Sequence, residues 1–106
     1  MTPPDLHKLD GATLLAALAS LPDWTRDGDN LHREYRFADF VTAFSFMTAA
    51  ALVAERMNHH PAWSNVYGTV RVDLTTHDAG GITARDLELA RAMESLAQAL
   101  LAAPPA

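Results

Sequence analysis

The chain contains no cysteine. That single absence removes disulfides, thiolate nucleophiles and cysteine-ligated metals, and it suits a reducing compartment. Positive charge is scarce too: 8 Lys and Arg stand against 13 Asp and Glu, a formal net charge of -5 with His neutral. Such a surface repels nucleic acid and anionic membrane, so neither is expected as a partner. Long apolar runs are also lacking. The longest, around Phe46 to Ala54, is too short and too rich in Thr and Ala to span a bilayer. Met1 to Asp10 holds two prolines and two acids but no apolar stretch of the signal-peptide kind. These features predict a cytoplasmic protein without a membrane span. The 106 residues fit one domain, 1–106. A domain this small buries a modest fraction of its surface, so packing between subunits would help it.

What is present falls into alternating patterns. Leu14, Leu15, Leu18 and Leu21 recur at helical spacing and predict a short amphipathic helix over 12–21, ended by Pro22. Trp24 to Asp27 and Leu31 to Phe37 read as two strands around Gly28-Asp29-Asn30, which is hairpin turn chemistry. Leu31, Arg33, Tyr35 and Phe37 share one strand face, and this face is expected to meet the core. Asp39 is a cap for a long helix over 40–57. Phe40, Phe44, Met47, Ala51 and Ala54 lie on one of its faces, with Val41, Thr48, Leu52 and Glu55 on a neighbouring stripe. Two stripes predict burial on two sides, one against the sheet and one against a second helix, of this chain or of another subunit. Pro61 breaks the chain after Asn58 and restrains His60. Trp63 to Val66 is a short extended segment. Val70, Val72 and Leu74 then alternate with Arg71, Asp73 and Thr75 as a half-buried strand running to Thr76, which puts His77 on the polar side. Thr83, with Asp86 three positions on, predicts a capping box for a last helix reaching about Ala102, with an apolar stripe of Leu89, Met93, Leu96 and Leu100. Pro104-Pro105-Ala106 reads as a frayed tail. Short turns between strands favour antiparallel pairing, and one-faced helices need a sheet to cover. The expected fold is α+β: an antiparallel sheet with helices packed on one face.

Of five His, three fall close together at element ends: His59, His60 and His77. Imidazole titrates near neutrality and gives or takes a proton at little cost. A three-His metal site is chemically conceivable, but the i, i+4 spacing of the common helical metal motifs is missing, so no metal ligand is assigned. Glu55 precedes His59 by four residues and can orient an imidazole. Asp86 can contact a His or simply complement a helix N-terminus. Trp63 can stack on a flat ligand or belong to the core. Arg71 and Asp73 read as partners for neighbouring charges. His7 and His32 receive no role.

The ordered string Glu55…His59-His60-Pro61-Ala62-Trp63-Ser64-Asn65-Val66-Tyr67, then Val70 to Thr76-His77, then Thr83-Ala84-Arg85-Asp86, resembles the signature of the pterin-4a-carbinolamine dehydratases. The likeness covers about a third of the chain at motif strength. It implies a four-stranded antiparallel sheet with three helices on one side, assembled as a homodimer or homotetramer. It implies loss of water from a 4a-hydroxytetrahydropterin, giving a quinonoid dihydropterin for recycling after an aromatic amino acid hydroxylase has acted. It implies catalytic roles for His59, His60, His77 and Asp86. Glu55 would contact the pterin's guanidine-like edge and Trp63 would wall the pocket, with neither metal nor organic cofactor. Asn58 departs from the pattern, since many relatives carry an acid there. The resemblance also implies an alternative, because some relatives serve as non-catalytic binding or assembly modules.

Overall fold

The computed structural model describes residues 7–101. The expected frayed tail and the end of the last helix at Ala102 lie outside the described residues, as do the first six residues of the N-terminal segment. Helix α1 (Gly11–Leu18) starts at Asp10, whose side chain accepts from Thr13 N at 2.7 Å. It ends earlier than the leucine spacing predicts. Ala19, Ser20 and Leu21 bond back to the carbonyls three residues before them. Those tighter bonds close the helix and swing Leu21 and Trp24 into the core. Leu14 is buried, whereas Leu15, expected on the same stripe, points to solvent.

Strands β1 (Thr25–Asp27) and β2 (Asn30–Arg36) form a hairpin closed by Gly28-Asp29, with Gly28 at φ 60°. Strands β3 (Ala62–Val66) and β4 (Thr69–Leu74) form a second hairpin. Its turn needs Gly68, since a Cβ there would lie 2.5 Å from the carbonyl oxygen of Phe37. The sheet runs β1-β2-β4-β3 and is antiparallel throughout. Between its hairpins stands helix α2 (Phe40–Met57), and after β4 a 3₁₀ turn (His77–Ala79) leads to helix α3 (Ala84–Leu101). Three helices and a four-stranded antiparallel sheet make the α+β fold that was expected.

One sheet face carries Leu31, Tyr35, Val70, Val72 and Leu74, all fully buried with Phe46, Leu89 and Met93 of the helices. The other face is polar and paired. Glu34 accepts from Arg71 at 2.7 Å and Arg36 at 2.9 Å, and His32 meets Asp73 at 3.0 Å. The Arg71 and Arg36 bonds hold the Glu34 carboxyl below its ordinary pKa.

The long helix required a correction. Its bounds match the expectation, but its inner face is Ala43, Phe46, Ala50 and Ala54. Of the stripe Phe40, Phe44, Met47, Ala51 and Ala54 only Ala54 is fully buried. Phe40 and Phe44 remain about half exposed, and Ala51 and Leu52 face outward. Three alanines let α2 approach the sheet and α3 closely, and Phe46 fills the remaining space between them. By length and composition α2 could cross a membrane. Its inner side is instead packed into the core with α3 and β4.

Candidate active site

The last turn of α2 positions the first two histidines. Asn58 adopts a left-handed conformation (φ 52°, ψ 43°), while Asn58 N donates to Glu55 O and His59 N to Ala54 O, both at 3.0 Å. This pair of bonds closes the helix and reverses the chain. The reversal turns His59 inward, where it is 8% exposed, and leaves His60 outside.

His59 Nε2 meets Asp86 Oδ1 at 2.5 Å. Asp86 is fully buried in the first turn of α3. Its Oδ2 accepts from Thr83 N at 2.9 Å and Thr76 Oγ1 at 2.8 Å. Thr83 Oγ1 in turn accepts from Arg85 N at 3.3 Å, which completes a reciprocal cap with Asp in the acidic position. Thr76 and Thr83 hydroxyls lie 2.8 Å apart. Each hydroxyl has one hydrogen. With Thr76 donating to Asp86, Thr83 must donate to Thr76. The carboxylate therefore does two jobs: it complements the positive end of α3 and holds one imidazole. With Asp86 as acceptor, Nε2 of His59 carries the hydrogen and Nδ1 is left for other work.

His60 Nε2 meets Glu55 Oε1 at 2.8 Å, an exposed pair. His77 opens the 3₁₀ turn beyond β4 and is exposed. All three histidines open onto one cavity of about 360 Å³, whose wall also includes Asn58, Thr75, Thr76, Asp78 and Arg85. Glu55 does not line this cavity and reaches it through His60. Trp63, expected to wall the same pocket, lies elsewhere. It pairs with Val72, and its side chain faces the outer side of α2, where it lines an apolar groove of about 310 Å³ with Phe44, Met47 and Leu52. Among the described residues, no group of three His, Cys, Asp or Glu side chains is placed to share a metal ion.

A sequence profile described as pterin 4 alpha carbinolamine dehydratase matches residues 7–96. The chain belongs to this family. A Solibacter usitatus protein named "Putative pterin-4-alpha-carbinolamine dehydratase" is 57% identical over 90 residues, covering 85% of this chain and 95% of that relative. A Bradyrhizobium diazoefficiens protein of the same name is 58% identical over 84 residues, 77% of this chain and 84% of its own. Among solved structures, a "transcriptional coactivator/pterin dehydratase" from Brucella melitensis superposes with a TM-score of 0.84 at 40% identity, covering 86% of this chain and 99% of that one.

Two residues of this dehydratase-family site escaped the sequence reading. Arg85 stands in the motif string without a role of its own. Its guanidinium donates to Met57 O at 2.5 Å and Asn58 O at 3.1 Å, so it grips the carbonyl end of α2 beside the histidines. Thr76 was read as the end of an alternating strand, yet its hydroxyl is a donor to Asp86. Adjacency was the available signal in both cases, since Arg85 precedes Asp86 and Thr76 precedes His77.

Proposed function

We propose that this chain dehydrates a 4a-hydroxytetrahydropterin to the quinonoid dihydropterin by histidine acid and base catalysis. It would thereby support tetrahydropterin recycling after an aromatic amino acid hydroxylase, in the cytoplasm. The observation that carries the reading is the opening of His59, His60 and His77 onto one cavity with Asp86 bonded behind His59. In the step, a base takes the proton from ring nitrogen N5. That electron pair forms the C4a=N5 double bond, the C4a–O bond breaks, and the departing hydroxide takes a proton and leaves as water. His60 and His77 face the cavity from opposite segments and are assigned the two proton transfers. His59 is fixed by Asp86 and orients the ring. Glu55 steadies His60 or reaches the pterin's guanidine-like edge. The step as written draws on neither metal nor organic cofactor. The test is the carbinolamine dehydration rate measured above its slow spontaneous background. His60→Ala and His77→Ala should each lower kcat/KM by about 100-fold. A rate that survives both substitutions overturns the assignment of the proton transfers to His60 and His77, and a rate missing from the wild type favours a non-catalytic binding or assembly module of the same fold.

A second role is suggested by the outer side of α2. Phe40, Phe44 and Leu52 are 50%, 53% and 69% exposed, beside the groove under Trp63. A contiguous apolar face of this kind marks an interaction site. We assign it to self-association as a homodimer or homotetramer. The relative's name as a transcriptional coactivator fits a protein-binding face of this fold. Light scattering should give an oligomer for the wild type and a smaller species for Phe44→Glu. A monomeric wild type would assign the face to a different protein.

A further inference from the structure

Helix α2 ends in carbonyl groups that its own chain does not serve. Four positions after Met57 stands Pro61, which has no N–H to offer the Met57 carbonyl. Asn58 follows in the left-handed conformation, and the helix ladder stops there. Both acceptors are met from α3 instead. A single nitrogen of the half-buried Arg85, Nη2, donates to Met57 O at 2.5 Å and to Asn58 O at 3.1 Å. Nη2 carries two hydrogens, and the two carbonyls match them.

Asp86, the next residue of α3, binds the His59 ring. Two consecutive residues of α3 therefore hold two consecutive residues at the end of α2, one by its carbonyl and one by its imidazole. The peptide unit between Asn58 and His59 is held at both poles, since its N–H donates to Ala54 O at 3.0 Å. A peptide is a rigid plane, so fixing its oxygen and its nitrogen fixes the direction in which the chain runs on through His59 to His60. The left-handed conformation is sparsely populated by residues other than glycine, and it persists where the surroundings enforce it. We propose that Arg85 is a positioning residue for the dehydration: by clamping Met57 O and Asn58 O, it holds the left-handed turn that delivers His59 to Asp86 and His60 to the cavity. Arg85 stands in the cavity wall, yet it works through the backbone of the turn and not on the substrate. This inference rests on the dehydratase reading of the three-histidine cavity.

The test uses Arg85→Ala and Arg85→Lys in the full chain, with thermal unfolding to check that each variant folds. In Arg85→Ala the kcat for the carbinolamine should fall by about 10- to 100-fold, the effect of displacing a reacting group by about an ångström, while KM stays within about twofold. Lysine keeps the charge but lacks the planar fork, so Arg85→Lys should lie between the alanine variant and the wild type, and it carries the comparison if Arg85→Ala does not fold. A second readout needs no turnover. The proton NMR signal of His59 Nε2–H, identified by its loss in His59→Gln, should exchange with water faster in the Arg85 variants than in the wild type. A contact that only stabilises the fold lowers the unfolding temperature and leaves kcat and the His59 signal unchanged, and that result overturns the proposal. A raised KM with kcat intact also overturns it, because the guanidinium would then meet the substrate directly. A wild type without turnover overturns the dehydratase reading alone if the His59 proton still exchanges faster in the variants, and overturns both if it does not.

Discussion

Helix α3 carries two carboxylates that gather hydrogen bonds, and they do opposite things with them. Asp86, in its first turn, is bound by Thr76, by the Thr83 amide and by His59. Glu94, two turns on, is bound by the Trp24 indole at 3.0 Å, the Tyr35 hydroxyl at 2.8 Å, Arg33 at 3.5 Å and Gln98 at 2.7 Å. Every donor to Glu94 keeps its hydrogen at physiological pH. Burial and the Glu94 carboxylate even push the Tyr35 hydroxyl well above its ordinary pKa. The Glu94 cluster is therefore a fixed joint between β2, α3 and the segment after α1. Asp86 has one imidazole among its partners, and that ring opens onto the cavity. A buried acid with unchanging partners holds a fold together. One bonded to an imidazole at a cavity wall fixes that ring's tautomer and orientation.

The sharpest way to break this contrast is to remove each acid in turn. Asp86→Ala frees the His59 ring and uncaps α3, and kcat/KM for carbinolamine dehydration should fall by about 100-fold or more. Glu94→Ala should leave that rate within about twofold, because the cluster does not touch the cavity, yet cost about 2–3 kcal/mol in urea unfolding by stranding the indole and phenol donors. Comparable losses of rate in the two variants would erase the distinction. A smaller effect sharpens it. Burial pushes the Glu94 carboxyl up, but bonds from Gln98, Tyr35 and Trp24 and the Arg33 charge outweigh it, so its folded pKa lies below the ordinary value. A depressed folded pKa stabilises above the unfolded pKa, and that stabilisation is lost as pH falls through the folded value. From roughly pH 5 to pH 3 the wild-type urea midpoint should therefore fall more steeply than that of Glu94→Gln. Smallest of all, Thr76→Val removes one donor to Asp86 and should cost about 1 kcal/mol of stability, with a lower dehydration rate.

Where the sequence was legible, a simple period carried the information. The bounds of α2, the turn at Gly28-Asp29, the alternation of Val70, Val72 and Leu74 and the Thr83–Asp86 cap all stand as read. The rotation of α2 was not legible, because apolar residues occupy most of its circumference. Phe40, Phe44 and Met47 suggested one face while Ala43, Phe46 and Ala50 occupied another. Trp63 was misplaced for a related reason: its motif neighbours suggested the site, whereas strand alternation sent it to the α2 groove. The meeting of His77 with His59 and His60 cannot be seen in spacing at all. It depends on β4 and α2 ending at the same side of the sheet, and only the motif resemblance hinted at it. The Arg85 grip on Met57 and Asn58 is likewise a contact between helix ends that no local pattern encodes.

The bond between His59 and Asp86 joins the end of α2 to the start of α3 across 27 positions of chain. During translation the two adjacent histidines leave the ribosome before β3, β4 and the acid that fixes one of them. An unfinished chain holds an imidazole with nothing behind it, and the three-histidine cavity closes only once the final helix has docked. The site is therefore assembled late and all at once, and a chain that stops before α3 lacks the carboxyl group that fixes His59.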